Sequence, residues 1–233
     1  TKRYGAHTAV DDVSFRVESG EVVGFLGPNG AGKSTTMNII TGYLSATDGK
    51  VTVDGIDVLE DPIAVKGMLG YLPELPPLYV EMTVRDYLQF VSRVKRVPAS
   101  ERDAIEVIMK TVGINHVADR MIRNLSKGYR QRVGLGQALV GDPKALILDE
   151  PTIGLDPHQI IEMRDLVREL GEQRTVILSS HILPEVSAVC ERIIIISNGK
   201  IVASDTAENL GKSLSGSSRL SLRVKGEAAV VQA

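Results

Sequence analysis

One nine-residue stretch constrains this chain more than any other segment. Residues 27–35 read Gly-Pro-Asn-Gly-Ala-Gly-Lys-Ser-Thr and fit G-x-x-x-x-G-K-[ST], the P-loop or Walker A pattern. The preceding Val22 to Leu26 predicts a buried strand, and Lys33 to Leu44 predicts a helix. Glycines let the backbone wrap a phosphate, and unpaired N–H groups at the helix N-terminus point inward. We therefore expect Lys33 to reach the β- and γ-phosphates of a nucleotide and Ser34 to bind Mg²⁺. The predicted nucleotide-binding residues of this loop are Gly27, Pro28, Asn29, Gly30, Ala31, Gly32, Lys33, Ser34 and Thr35.

Composition narrows the class of protein. The 233 residues, 43% of them hydrophobic, suffice for one large domain or two small ones. With a net charge of -2, the chain lacks the excess of basic residues typical of nucleic-acid binders, so we do not expect nucleic acid as its main partner. The single cysteine, Cys190, excludes an intrachain disulfide and suits a reducing cytosol. No apolar run approaches the ~20 residues that a membrane-spanning helix needs, and no signal peptide is recognisable. The start at Thr1 and an arbitrary-looking end indicate a fragment.

Several short patterns predict β structure around the P-loop. Apolar residues at mostly every second position from Val10 to Val17 predict a half-exposed strand. Residues 50–58 predict short strands joined at Asp54-Gly55, so we expect an antiparallel flank beside the P-loop core. A further strand is predicted from Met68 to Leu72, followed by a proline-rich connector at residues 73–77.

Helices dominate the next segment. Thr83 and Ser100 can each cap an amphipathic helix, and Ser126 can cap a third helix that runs to about Val140. We expect these to form a helical insertion packed through its apolar stripes. Beyond it, the patterns predict strands at residues 145–149 and 175–179, helices starting at Pro157 and Pro184, and a hairpin at residues 192–203. From about residue 212, a serine-rich linker is predicted to lead to a strand at 220–224.

A pair of carboxylates supplies the second chemical motif. The apolar strand Leu146 to Leu148 runs into Asp149 and Glu150, about 115 residues after the P-loop. Hydrolysis of a phosphoanhydride needs one group that organises the metal and another that handles the attacking water. We therefore assign Asp149 to the metal and Glu150 to the water.

A third motif points to a family. Residues 125–132 read Leu-Ser-Lys-Gly-Tyr-Arg-Gln-Arg, and with the P-loop and residues 148–152 the chain resembles the ABC (ATP-binding cassette) ATPases. The resemblance covers about residues 1–211. It implies an α/β P-loop NTPase fold, with a RecA-like mixed sheet core and an antiparallel β flank, plus a helical subdomain. The implied boundaries are a core at 1–73 and 143–211, a helical subdomain at 74–142, and at 212–233 a linker and the start of a truncated accessory segment.

The resemblance also implies residue roles. Tyr4 would stack on adenine, Asp156 would communicate between two subunits, and His181 would act in catalysis by contacting the γ-phosphate. The signature residues would bind ATP held by the P-loop of a second copy; they are Ser126, Lys127, Gly128 and Tyr129. The implied metal ligands are Ser34, Asp149 and Glu74, and the implied cofactors are ATP and Mg²⁺.

The chain departs from the usual family pattern at three positions. Lys127 and Tyr129 replace a glycine and a glutamine of the signature, and Glu74 replaces the glutamine of the connector. These substitutions are similar to those of single-domain bacterial subunits of drug, sodium, copper and gliding-type exporters. Glu74 adds negative charge beside the two carboxylates, and we expect this charge to weaken metal-free nucleotide binding or to alter how transport couples to hydrolysis.

The resemblance therefore implies the ATPase subunit of a bacterial exporter. Two copies would close head to tail on two ATP molecules, and a separate transmembrane permease would complete the transporter. We expect a cytoplasmic location, peripheral on the inner face of the cell membrane. The alternative is a non-transport ABC ATPase of translation or DNA maintenance. Against it stand the single cassette and the absence of sustained heptads in the about 92 residues between Lys33 and Ser126. A GTPase switch would need an Asn-Lys-x-Asp sequence, which the chain lacks.

Overall fold

The computed structural model describes residues 1–98 and 104–210, and strands and helices alternate along them. The strands are β1 (Lys2–Tyr4), β2 (His7–Val10), β3 (Val22–Leu26), β4 (Thr52–Val53), β5 (Ile56–Asp57), β6 (Leu69–Leu72), β7 (Ala145–Asp149), β8 (Thr175–Ser180), β9 (Arg192–Ser197) and β10 (Lys200–Thr206). The α-helices are α1 (Lys33–Ile40), α2 (Pro62–Met68), α3 (Val84–Val94), α4 (Ala104–Thr111), α5 (Lys127–Leu139), α6 (Pro157–Gly171) and α7 (Leu183–Ser187).

A six-stranded sheet forms the centre of the molecule, in the order β10-β9-β3-β8-β7-β6. Five neighbouring strands run parallel, and β10 pairs antiparallel with β9 at one edge. The pairs β1–β2 and β4–β5 are antiparallel and lie outside this sheet. The predicted fold class, a mixed P-loop NTPase sheet with an antiparallel flank and helices, is confirmed.

The two faces of the sheet pack into different apolar clusters. In β3, Val22 and Leu26 join the larger cluster, whereas Val23 and Phe25 join a smaller one with Met37 of α1. Side chains of a strand alternate between faces, so a central parallel strand must be apolar on both. That explains why all five residues of β3 are buried and why an unbroken apolar run precedes the P-loop.

The predicted site residues lie at one edge of the sheet, because their strands run in the same direction. Because β3, β7 and β8 are parallel neighbours, their carboxyl ends meet. β3 leads into the P-loop, β7 ends at Asp149, and β8 ends at Ser180, one residue before His181.

The helices between β6 and β7 are built as expected. Thr83 accepts a hydrogen bond from the Asp86 amide, and Ser126 accepts one from the Tyr129 amide, so both predicted caps form. A Cβ on Gly70 of β6 would lie 2.3 Å from the carbonyl oxygen of Ala138, which shows how closely α5 packs on the sheet. The predicted Ser100 cap lies outside the described residues.

Some boundaries differ from the sequence expectations. Residues 13–17 alternate in burial but form no strand, because no ladder of backbone hydrogen bonds pairs them with the sheet. Helix α1 ends at Ile40 rather than Leu44, since Gly42 takes a positive φ of 68°. Helix α2 was not predicted, although Asp61 caps it and Pro62 occupies its first position.

The predicted linker and strand from residue 212 lie outside the described residues. In the part of the chain that the structure describes, no helix is long and apolar enough to cross a membrane.

Candidate functional site

The P-loop offers a row of unused backbone donors. Gly32 caps α1 with φ 106° and provides no side-chain hydrogen bond, and the first turn of α1 carries no acidic residue. The amides of Lys33, Ser34 and Thr35 have no acceptor within the helix, as in any first helical turn. A Cβ on Gly32 would lie 2.6 Å from the carbonyl oxygen of Ala9, so this position requires glycine on two grounds. Such a helix start is suited to bind an anion.

Lys33 is held across this loop. Its side chain is 5% exposed, and its Nζ donates to the carbonyl oxygens of Gly27 at 2.7 Å and Pro28 at 3.3 Å. Nζ also lies 3.2 Å from Oε1 of Glu150. A buried ammonium is costly unless it is paired, and here one carboxylate and two carbonyls balance its charge.

The end of β7 places two buried carboxylates side by side. Asp149 accepts a hydrogen bond from the hydroxyl of Ser179, and the Glu150 amide donates to that hydroxyl at 3.1 Å. Glu150 has φ 49°, a left-handed conformation that is uncommon outside glycine. Its Oε1 accepts no hydrogen bond from any residue of the described chain, although Lys33 is near. The site thus holds a carboxylate oxygen with unused capacity.

His181 completes the cluster. Its Nδ1 lies 2.9 Å from Oε2 of Glu150, and 37% of its side chain is exposed. Lys33 and His181 therefore contact the two oxygens of one carboxylate. The structure brings together these three predicted residues from three separate segments, with Asp149 beside them.

Tyr71 is a neighbour that the sequence analysis missed. Its hydroxyl donates to Oδ1 of Asn38 in α1 at 3.1 Å, which joins β6 to the P-loop helix. Burial raises the pKa of Tyr71, and the negative charge of Asp149 adds to this. Tyr71 thus stays a neutral donor beside the carboxylates. No motif marks it.

Other predicted residues lie apart from this cluster. Tyr4 in β1 is 49% exposed, with Nζ of Lys2 5.4 Å from its ring centroid. Glu74 is exposed in the loop after β6 and has no hydrogen bond or ion pair to any other described residue. Asp156 caps α6 by accepting from the Gln159 amide at 3.0 Å.

The signature segment starts α5 and makes contacts of its own. The Tyr129 hydroxyl lies 2.9 Å from Nε2 of His116, and the Lys127 side chain lies so close to Gly154 that a Cβ there would meet Nζ at 2.1 Å. Within residues 1–98 and 104–210, no hydrogen bond or ion pair joins residues 126–129 to the P-loop. In one copy of the chain, the signature and the P-loop are separate sites.

Comparison with known proteins agrees with these motifs. The family model described as ABC transporter matches residues 10–153. The chain is 39% identical over 201 residues to the uncharacterized ABC transporter ATP-binding protein YxlF of Bacillus subtilis, covering 86% of this chain and 66% of the relative. It is 35% identical over 214 residues to the bacitracin transport ATP-binding protein BcrA of Bacillus licheniformis, covering 91% and 69%. The chain thus spans less than two thirds of the length of YxlF.

Solved structures give the same fold. A nucleotide-free ATP-binding cassette from an ABC transporter matches with a TM-score of 0.82 and 28% identity, covering 92% of each chain. A dimeric cassette in a post-hydrolysis state, bound to ADP and Pi, matches with a TM-score of 0.77 and 26% identity, covering 85% of this chain and 90% of that one.

Proposed function

The chain belongs to the ABC transporter family, and we propose that it is an ATP-binding and ATP-hydrolysing subunit that powers a transporter. The observation that carries this proposal is the contact of Glu150 with both Lys33 and His181 beside an anion-binding helix start. N–H donors and a lysine that bind phosphate, together with a buried carboxylate that can handle the attacking water, are groups that hydrolysis of a nucleoside triphosphate uses.

Binding falls to the P-loop. The amides of the loop and of the first turn of α1 hold the phosphates, and Lys33 turns from Glu150 toward the β- and γ-phosphates. Ser34 and Asp149, with Glu74 from the connector, would hold Mg²⁺, which neutralises charge on the phosphates when bound. A hydroxyl and a buried carboxylate suit Mg²⁺, since it binds through few protein ligands and keeps phosphate oxygens and waters. Among the described residues no cluster of three or more His, Cys, Asp or Glu offers a closed metal cage.

Hydrolysis falls to Glu150 and His181. Once Lys33 binds phosphate, Oε1 of Glu150 loses its cation and becomes the acceptor for a proton of the attacking water. His181, held 2.9 Å from Oε2 of Glu150 and partly exposed, contacts the γ-phosphate.

A second copy completes each site. Residues 126–129 of one copy would bind the nucleotide held by the P-loop of the other. In support, no hydrogen bond or ion pair among the described residues joins them to the P-loop of their own copy. Asp156 lies at this interface, and Tyr4 stacks on adenine. The match to a dimeric cassette supports this arrangement. We assign residues 1–211 to one nucleotide-binding domain with a helical subdomain at 74–142, and 212–233 to a linker and the start of an accessory segment.

The further partner is a separate transmembrane permease, and the direction of transport is export. The likeness to a bacitracin transport protein supports the exporter assignment. Leu75 in the connector and Tyr79 just after it are 76% and 56% exposed, which suits a surface that binds another protein. The subunit would then lie in the cytoplasm, peripheral on the inner face of the membrane. Co-purification with a membrane subunit is expected, whereas co-sedimentation with ribosomes or tight DNA binding would contradict this assignment.

The sharpest test of the activity is Glu150→Gln. Glutamine keeps the shape of the side chain but accepts a proton poorly, so we expect ATP turnover to fall about 1000-fold. ATP binding is retained, and light scattering with chromatography should detect an ATP-stabilised dimer. Glu172→Gln, an exposed position at the end of α6, is the matched control and should hydrolyse ATP at the wild-type rate. Turnover by Glu150→Gln at a near wild-type rate would show that Glu150 is not the base.

A further inference from the structure

A buried carboxylate next to the site has no part in the proposed hydrolysis. Glu185 lies in α7, and only 7% of it is exposed. Buried acids are rare unless polar partners compensate for the lost water. The hydrogen-bond partners of Glu185 therefore indicate what this buried carboxylate does.

Glu185 joins the two loops that carry the reacting groups. Its Oε2 accepts from the Thr152 hydroxyl at 2.6 Å and from the Ser180 hydroxyl at 3.2 Å. Thr152 follows Glu150 by two residues, and Ser180 immediately precedes His181. One oxygen atom thus connects the end of β7 to the end of β8.

The Ser180 end of this bridge is fixed by a second bond. The Ser180 hydroxyl accepts from the Ile182 amide at 3.1 Å, so the residues on both sides of His181 are tied to one hydroxyl. The Thr152 end belongs to a tight turn, in which the Ile153 amide donates to the Glu150 carbonyl at 3.1 Å. Movement at either end would shift Glu150 relative to His181.

A third element, helix α6, borders the same region. Arg164 of α6 lines the same cavity of about 10 Å³ as Glu185 and Thr152, and its buried Nε has no hydrogen-bond partner among the described residues. A space of this size holds one water molecule at most, so it is too small for a ligand.

We propose that Glu185 is a positioning residue that holds Glu150 and His181 in their reactive arrangement through Thr152 and Ser180. This inference rests on the proposed ATP hydrolysis. Glu185 touches neither nucleotide nor water in this role. Its loss therefore lowers turnover and leaves the affinity for ATP, which the P-loop sets, unchanged.

The test compares three variants of the full chain. Glu185→Ala removes the bridge, and we expect kcat to fall about tenfold. A misplacement of about 1 Å at a reacting group can cost about 100-fold, and a smaller shift of Glu150 and His181 costs less. KM and the dissociation constant of ATP, measured by calorimetry, should stay within about twofold of wild type. Glu185→Gln keeps one acceptor oxygen and should restore most of the rate. Thr152→Val removes only the donor at the other end and should reproduce the loss, whereas Thr152→Ser keeps it and should not.

Each outcome decides the proposal. An unchanged kcat in folded Glu185→Ala overturns it, as does a change in ATP affinity without a change in kcat. Equal losses in Glu185→Gln and Glu185→Ala would assign the role to charge rather than to the bridge, and would also overturn it. If Glu185→Ala does not fold, the Thr152 pair carries the same comparison. The proposed function fails separately, when the wild-type chain hydrolyses no ATP.

Discussion

A carboxylate lies beside a cation at each end of the parallel strands: Glu21 and Arg192 at the amino ends, and Glu150 and Lys33 beyond the carboxyl ends. The two pairs differ in how fully their hydrogen-bonding capacity is used. At the amino end, Glu21 receives two hydrogen bonds from Arg192 at 2.6 Å and 2.9 Å. Arg192 donates a third bond to the carbonyl oxygen of Arg16 at 2.7 Å. This hydrogen bonding lowers the pKa of the Glu21 carboxyl. The pair is a bidentate contact of the strong kind.

At the carboxyl end, the pair is buried more deeply and satisfied less. Lys33 and Glu150 are 5% and 6% exposed, against 28% and 16% for Arg192 and Glu21. Yet Oε1 of Glu150 accepts no hydrogen bond within the described residues, and the backbone at Glu150 has a positive φ. Burying a polar atom without a partner costs free energy.

The contrast separates scaffold from site. Both pairs lie at the ends of parallel strands in one sheet, so the sheet alone does not explain the difference. We attribute it to the proposed roles of the carboxyl end, where the P-loop and Lys33 would bind phosphate and Glu150 would accept a proton from water. Removing the cation should therefore weaken ATP binding at the carboxyl end and lower the stability of the fold at the amino end.

Replacing Lys33 gives the largest expected effect on binding. In Lys33→Met, the ATP dissociation constant should rise about 100-fold, a loss of about 3 kcal/mol, because charge-assisted contacts to the phosphates disappear. Calorimetric titration with ATP measures it. The matched change at the other end, Arg192→Met, should bind ATP as wild type does while unfolding more easily. Equal ATP affinities in the two variants would refute the division into site and scaffold.

Replacing His181 changes the carboxyl end but leaves the contact between Lys33 and Glu150 in place. In His181→Ala we expect kcat to fall about 100-fold, as for the loss of one group that stabilises a transition state, and ATP affinity to change less than about threefold. Steady-state hydrolysis together with calorimetry separates the two quantities. His158→Ala is the control, since His158 is 82% exposed on α6 and should hydrolyse ATP normally. A loss confined to affinity would mean that His181 only binds ATP.

The carboxyl end could largely be predicted from the sequence, because its elements depend on local patterns. Apolar runs predicted β3 and β7, and parallel strands with motifs at their ends must bring those motifs to one edge. The caps at Thr83 and Ser126 followed from residue type and spacing alone.

The contacts between segments could not be predicted. The approach of Lys33 to Glu150 and the bridge through Glu185 depend on loops from distant parts of the chain, which no periodicity encodes. Helix α2 was missed because it is seven residues long with only Val65 buried, so it has almost no apolar stripe. The Glu21–Arg192 pair joins residues 171 positions apart and carries no motif.

Breaking the Glu21–Arg192 pair has the smallest expected effect, and only the stability of the fold should change. In Glu21→Gln, the free energy of unfolding at pH 7 should fall by about 1–2 kcal/mol, the contribution of a hydrogen bond to a charged group. ATP affinity and turnover should not change. Glu18→Gln is the control: Glu18 is 66% exposed in its ion pair with Arg16, and such pairs contribute little.

The stabilisation by Glu21 should depend on pH, and its lowered pKa predicts the direction of that dependence. The pKa of Glu21 is lowered in the folded chain by its hydrogen bond to Arg192, so the unfolded chain binds the proton at a higher pH. The stabilisation is therefore present above the unfolded pKa, near 4.5, and is lost as the pH falls through the folded value. Denaturant unfolding of wild type and Glu21→Gln from pH 7 down to about pH 2 should show the two stabilities converging as the pH falls below about 4.5. A difference that stays constant over this range would mean that Glu21 stabilises the sheet by packing rather than by its charge.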